Sequence, residues 1–258
     1  NTSMADTGNM RRNRNTSLVV EKIFEKFFMI IGLSCLFVLL LIMVFLFTEG
    51  VPILKDVSIT DFLLGTQWYP TSVNPRFGIL PLITASVAVT LLASFFAVPL
   101  SLAIAVYLAE LASPRVREVV KPAIEVIASI PSVIIGFFGM VVVARFLQRY
   151  FNIDTGLNLF NAALMLAFMA IPTIASISED AISSVPMSLK EASYALGANR
   201  RETIFHITIP AALSGIWTAI ILGFSRVIGE TMVVLMVAGG AAVMPGSFFD
   251  PVRPLTSN

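Results

Sequence analysis

Between Phe27 and Phe47 the chain carries no charged side chain, and the same holds between Ile79 and Ala109. Lipid offers no hydrogen-bond partners, so an apolar run of about 20 residues reads as a helix that crosses a bilayer. The second run would reach about 46 Å as a helix and must tilt or project beyond the hydrocarbon. Further crossings are expected at residues 126–144, entering nearer Pro122, and within residues 155–178. A last one is expected from Pro210 to Ala238, interrupted by Arg226 and Glu230. The expected fold class is therefore all-α, a polytopic transmembrane helix bundle of about five spans. Composition agrees: 57% of the 258 residues are hydrophobic and 13% charged, with mean hydropathy +0.88. Soluble chains carry about one quarter charged residues.

Several functions are excluded by what is scarce. A formal net charge of +1 is too balanced for a basic-patch nucleic-acid binder. Cys35 has no cysteine to pair with, and His206 is the single histidine, which removes His triads and paired-His metal sites. No lysine follows a glycine, so the chain has no phosphate-binding P-loop and is not expected to hydrolyse nucleotide by itself. The expected organisation is a disordered cytoplasmic tail (1–26), a first transmembrane helix (27–47), an extracytoplasmic loop (48–78) and a bundle core (79–258). Trp68 and Tyr69 in that loop suit headgroup level. Orientation follows the basic residues. Arg11, Arg12, Arg14, Lys22, Lys26, Arg115, Arg117, Lys121, Lys190, Arg200 and Arg201 fall on one side, against Lys55, Arg76, Arg145, Arg149 and Arg253. A cytoplasmic N-terminus is expected. Pro81, Pro99, Pro131 and Pro172 each remove a backbone hydrogen bond within a span, which suits a transport protein better than an anchor.

The loop at residues 186–210 carries the most specific pattern. Ser188 with Glu191 fits a capping box, Gly197 suits a left-handed helix end, and Asn199 with Glu202 offers a second helix start. Leu189, Ala192, Ala195 and Leu196 share a face, and Ile204 and Ile207 continue the apolar stripe. On periodicity alone this is an amphipathic connector resting on its own bundle. The order Glu191-Ala192-Ser193, three residues, Gly197, nine residues, then Ile207-x-Ile209-Pro210 resembles the EAA loop of ABC-importer permeases. Ser193 for Ala and Ile209 for Leu are its two departures. The resemblance implies a coupling helix that docks into a separate ATPase subunit. Glu191 and Gly197 would set the docking geometry, Ala192 and Leu196 would fill the groove, and Ile207 and Pro210 would close the motif. No cofactor is then expected on this chain, because ATP and Mg belong to the partner ATPase.

Arg226 and Glu230 lie four residues apart in the last run, on one helical face and able to pair. Each charge at mid-membrane costs roughly 2.5–3.5 kcal/mol, so both should face the bundle interior or a watery path. Glu230 reads either as a path residue or as half of a structural salt bridge. Arg226 reads as a path residue, since a guanidinium matches a tetrahedral oxyanion. Gly215, Ala219 and Gly223 repeat at i+4 and favour close helix packing.

Three segments resemble the phosphate-specific branch of these permeases. They are Arg226-x-x-Gly229-Glu230-Thr231, Ile130-Pro131-Ser132-Val133 through Gly139, and Trp68-x-Pro70 ahead of Phe77-Gly78. The last looks like the PstC type of subunit more than the PstA type. The resemblance implies a homologous second permease, two ATPase subunits and an extracytoplasmic phosphate-binding protein facing residues 48–77 and 145–158. The setting would be membrane lipid of a prokaryotic inner membrane, with no nucleic acid. Arg226 and Glu230 would guide phosphate, with Ser129, Ser132 and Thr231 as neutral donors. It also implies a final helix that this chain would lack beyond Asn258. Remaining alternatives are a permease for molybdate, sulfate or phosphonate, an ion-coupled secondary transporter, and a membrane signalling scaffold.

Overall fold

The computed structural model describes residues 3–53 and 57–258, with side chains described from residue 21 onward. Lys55 and the side chains of Arg11, Arg12 and Arg14 lie outside the described residues. The chain forms two units, residues 1–59 and 60–258. In the first, helix α1 (Ser3–Gly50) extends the expected span in both directions. The polar stretch expected as a tail is helical from Ser3. Ala, Met, Arg, Glu and Lys are good helix formers and propagate a helix once the apolar segment nucleates it. Between Phe27 and Phe47 the helix carries no charge on any face, as a membrane span does.

The second unit opens with a short helix α2 (Ile59–Leu64) and a two-stranded hairpin, β1 (Trp68–Tyr69) against β2 (Arg76–Phe77). Trp68 pairs opposite Phe77, their rings edge to face at 6.3 Å. Gly78 passes so close to the Gly65 backbone that a Cβ there would collide with it. Four long elements follow. Helix α3 (Leu80–Val106) ends in a π-turn at Tyr107–Leu111. Helix α4 (Pro114–Ala128) is followed by α5 (Ser132–Phe138), which a π-segment at Gly139–Val143 joins to α6 (Ala144–Phe151). Helix α7 covers Leu159–Ser183. Beyond it lie α8 (Met187–Ala195), α9 (Arg200–Thr203) with a π-turn at Ile204–Thr208, α10 (Ile209–Ile228) and α11 (Met232–Val237). Among the described residues five helical runs are long and apolar enough to cross a membrane: Glu21–Gly50, Leu80–Leu111, Ser132–Phe151, Leu159–Ser183 and Arg200–Ile228.

Small residues let α3 and α7 approach closely. Ala85, Val89, Ala93, Ala97, Ser101 and Ala105 recur every fourth residue on α3 and are all buried. They meet Ala162, Ala163, Leu166, Ala167 and Ala170 of α7 in one core. The Ser101 hydroxyl donates to the Ile171 carbonyl at 3.2 Å. Helix α10 climbs α7 in the opposite sense, with Gly215 against Ala181 and Gly223 against Ile174. The expected close-packing role of Gly215, Ala219 and Gly223 is thus observed.

Three expected boundaries move, each for a local reason. The run at 126–144 is two helices, because Pro131 has no N–H to donate and pushes Ile130 away from helical angles. The fourth span reaches Ser183 rather than stopping before Glu179. Asn158 caps its start by accepting the Asn161 N–H at 2.9 Å. At its other end Glu179 is fully buried yet paired with Arg117 and with Lys121 at 2.7 Å. Glu179 and Asp180 therefore fall inside the fourth apolar run, and Glu110 inside the second. The fifth run breaks at Gly229–Thr231, so its helix ends at Ile228 and not at 238.

The α7–α10 contact makes a testable demand. Leucine at Gly223 has to displace Ile174, whereas Gly32 on α1 has open space around it. Gly223→Leu should lower stability in detergent by about 1–3 kcal/mol, read as a drop in thermal midpoint. Gly32→Leu should leave the midpoint unchanged.

Candidate functional site

The 186–210 loop folds as a knuckle of two short helices. Helix α8 starts at Met187 with Pro186 as its N-cap and no side-chain cap, so the box expected from Ser188 and Glu191 does not form. Pro186 holds the extended backbone from which the helix starts. The helix closes as sequence predicts. Gly197 sits at φ +88°, its N–H donating to Tyr194, while the Ala198 N–H reaches the Ser193 carbonyl. That double closure is a Schellman motif and needs a residue at ease with positive φ. The second start is also as expected. Asn199 Oδ1 accepts from Glu202 N at 3.0 Å, and Glu202 Oε2 accepts from Asn199 N at 2.8 Å.

Three side-chain contacts brace the knuckle. Ser193 and Thr203 share a hydroxyl–hydroxyl bond of 2.9 Å. Lys190 Nζ donates to Glu110 Oε1 at 2.6 Å, and the Arg200 guanidinium donates to the Glu110 backbone carbonyl. Glu191, Ala192, Leu196 and Gly197 all lie exposed on the outer surface, with Leu196 90% exposed. Ile207 is half-buried in the π-turn, and Pro210 is exposed in the first turn of α10. Leu196 is thus an apolar side chain held out on a closed turn, and burying a leucine is worth about 1.5–3 kcal/mol. Glu110, Lys190 and Arg200 were not singled out from sequence: eighty or more positions separate Glu110 from its partners, and no periodicity signals that.

The second site lies level with the middle of α7. Gly223 packs on Ile174, so Arg226, about one turn further on, is at mid-span. Two helices break here: α4 gives way to α5 across 129–131, and α10 to α11 across 229–231. Each break leaves backbone groups without helical partners. Arg226 Nη2 donates to the Ala128 carbonyl at 3.3 Å, at the C-terminal end of α4. Glu230 Oε1 accepts from the N–H groups of Met232 (3.1 Å) and Val233 (3.2 Å), at the N-terminal end of α11. Both charges have the sign that a helix end attracts. Among the described residues they form no ion pair with each other, contrary to the i+4 expectation, because the helix stops between them at Ile228.

The remaining candidates gather around the same breaks. Ser132 is half-buried at the start of α5, and Thr231 is exposed at the second break. The Ser129 hydroxyl is spent locally on the Val126 carbonyl at 2.7 Å. Beside the α4 end opens a hollow of about 390 Å³ lined by Glu125, Ala128, Ser129, Pro172, Thr173 and Ser176. Thr173 and Ser176 were missed because isolated hydroxyls in an apolar helix carry no pattern. A larger hollow of about 860 Å³ between α3 and α7, with Phe95, Phe96, Pro99 and Phe168 in its wall, is almost wholly apolar. It presents no group that would orient a polar cargo.

Comparison with known proteins places this geometry. Residues 97–249 match the family described as binding-protein-dependent transport system inner membrane component. A probable ABC transporter permease protein of Bacillus subtilis, YqgH, is 41% identical over 218 residues, covering 84% of this chain and 71% of that protein. The phosphate transport system permease protein PstC of Haemophilus influenzae is 34% identical over 216 residues, covering 76% and 68%. Among solved structures, the MetNI methionine ABC transporter in an inward-facing conformation aligns with a TM-score of 0.51 at 26% identity, covering 63% of this chain and 73% of the other.

The ionic cluster under α4 generates a stability expectation. Glu179 receives Arg117, Lys121 and the Ser183 hydroxyl (2.8 Å) on one fully buried carboxylate. Glu179→Ala removes the shared carboxylate but leaves Arg117 with Ser183 and Lys121 with Asp180, and should cost about 1–3 kcal/mol, measured as loss of folded protein in a detergent melt. Glu118→Ala, an exposed change on α4 next to Arg117, should leave the melt unaltered.

Proposed function

The chain belongs to the binding-protein-dependent transport system inner membrane components, and from that premise we propose that it forms the translocation path of an ATP-driven phosphate importer. As a multi-pass permease subunit it is a transport component and makes or breaks no substrate bond. The phosphate reading is supported by the similarity to phosphate transport permeases and by one feature of the site. Arg226 presents a guanidinium at mid-span, and one of its N–H groups holds the end of α4 while others remain available to an oxyanion. Thr231, Ser132 and the hollow with Thr173 and Ser176 supply neutral donors nearby. Glu230 acts by holding the start of α11, which keeps the second break open at the depth of Arg226.

Energy enters through the knuckle. Ala192, Leu196, Glu191 and Gly197 form its outer face, where an ATPase subunit would seat, with Ile207 and Pro210 leading into α10. Two such ATPases carry the ATP and Mg, and a homologous second permease completes the path. An extracytoplasmic phosphate-binding protein delivers cargo to the opposite end, near residues 48–77 and 145–158. This orientation puts the N-terminus and the knuckle in the cytoplasm of a prokaryote, with the bundle in its inner membrane. Direct force on α10 from the knuckle is transmitted along the α7 contact to the break that carries Arg226.

Two measurements test the reading. Arg226→Ala should lower ATP-dependent phosphate uptake into vesicles by at least tenfold while the ATPase still copurifies; normal uptake removes Arg226 from the path. Sulfate and molybdate in the same assay decide the cargo, and uptake of either in preference to phosphate changes the substrate assigned. Cysteine at Leu196 should crosslink to the ATPase subunit, and failure to capture it contradicts docking at the knuckle.

A further inference from the structure

Both helices of the knuckle converge on one residue of a distant helix. Lys190, on α8, places its ammonium 2.6 Å from Glu110 Oε1, and both side chains are largely withdrawn from solvent, at 12% and 8% exposed. Arg200, the first residue of α9, donates to the Glu110 backbone carbonyl. That carbonyl is free to accept because α3 ends there in a π-turn: the Ala112 N–H reaches back to Tyr107 at 2.8 Å, and the chain then leaves in extended conformation. The last carbonyls of the helix are left without helical partners, and a cation is the favoured partner for them. Gly197 lies between the two cations, so the Glu110 contacts fix the angle at which the knuckle bends.

We propose that Glu110 is the positioning residue of the coupling knuckle, tying both of its helices to α3 so that their displacement moves α3 as well as α10. The inference rests on the docking function proposed above for this loop. Among the described residues the side-chain hydrogen bonds from α8 and α9 to the rest of the bundle go to Glu110, while the Ser193–Thr203 bond is internal to the knuckle. Helix α3 is locked along α7 by its ladder of small residues, so what Glu110 receives from the knuckle passes into the core. A withdrawn ion pair is a poor source of net stability, because desolvation offsets its attraction. What it supplies is placement, since Lys190 and Arg200 from the two helices both meet Glu110.

The test uses the assembled transporter in vesicles, reading phosphate taken up per ATP hydrolysed. Glu110→Gln and Lys190→Gln should each lower that ratio about tenfold while ATP hydrolysis persists, the scale of a close-pair coupling of about 1.4 kcal/mol. The exchange variant Glu110→Lys with Lys190→Glu should restore the ratio, whereas Glu110→Lys alone should not. An unchanged ratio in both single variants, or no restoration by the exchange, overturns the proposal. Amide exchange on the purified full chain gives a readout that needs no ATPase. Residues 187–203 should exchange faster in Glu110→Gln while α7 does not, and unchanged exchange across the knuckle also overturns it. The Leu196 crosslink in the otherwise unaltered chain separates the two claims. Its absence removes the docking function, while its presence with unchanged Glu110 variants removes only the role of Glu110.

Discussion

Hydrocarbon gives an interrupted helix nothing to bond to, and this chain interrupts two helices at the same depth. The arrangement persists because each broken end has a partner of fitting charge. Arg226 faces the carbonyl end of α4 and Glu230 faces the amide end of α11. Charges that would be expensive in isolation stand where the backbone itself is polar. The same choice leaves a guanidinium and several hydroxyls at mid-span, the region a polar cargo has to cross. Helix termination and chemistry in this bundle are thus one problem with one solution.

Around that polar middle the frame is built from small side chains. The α3 ladder from Ala85 to Ala105 and the glycines of α10 bring these two helices close to α7. The segment after α11 returns to seal the start of α7. Asp250 and Phe248 carbonyls accept from Leu159 and Phe160, amides at the beginning of a helix that have no internal partner. At the other end three elements are governed by charge: α4 through Glu179, α8 through Lys190, and α9 through Arg200.

Much of this is legible in sequence where the signal is local. Uncharged runs locate the spans, Gly197 announces a left-handed helix end, and Asn199 with Glu202 announces a helix start. Local signals mislead where an apolar run hides a break. The stretch 126–144 looks continuous because both half-helices are apolar, and only Pro131 marks the interruption. Arg226 and Glu230 look like a pair on one face because i+4 spacing presumes an unbroken helix. Glu179 looks like the end of a span, since its neutralising partners come from another helix. Glu110 carries no mark at all, because its meaning lies in Lys190 and Arg200, brought to it by the fold.

Helix α4 has no buried side chain along its whole length. It is fastened at its foot by the Glu179 cluster and at its head by a single guanidinium contact, with the Ile130–Pro131 joint above. Val120, Ile124 and Ala128 are only half-buried along it, so much of the resistance to lifting it away falls on the charged contacts at its two ends. A wall held in this way can swing while the frame behind it stays rigid.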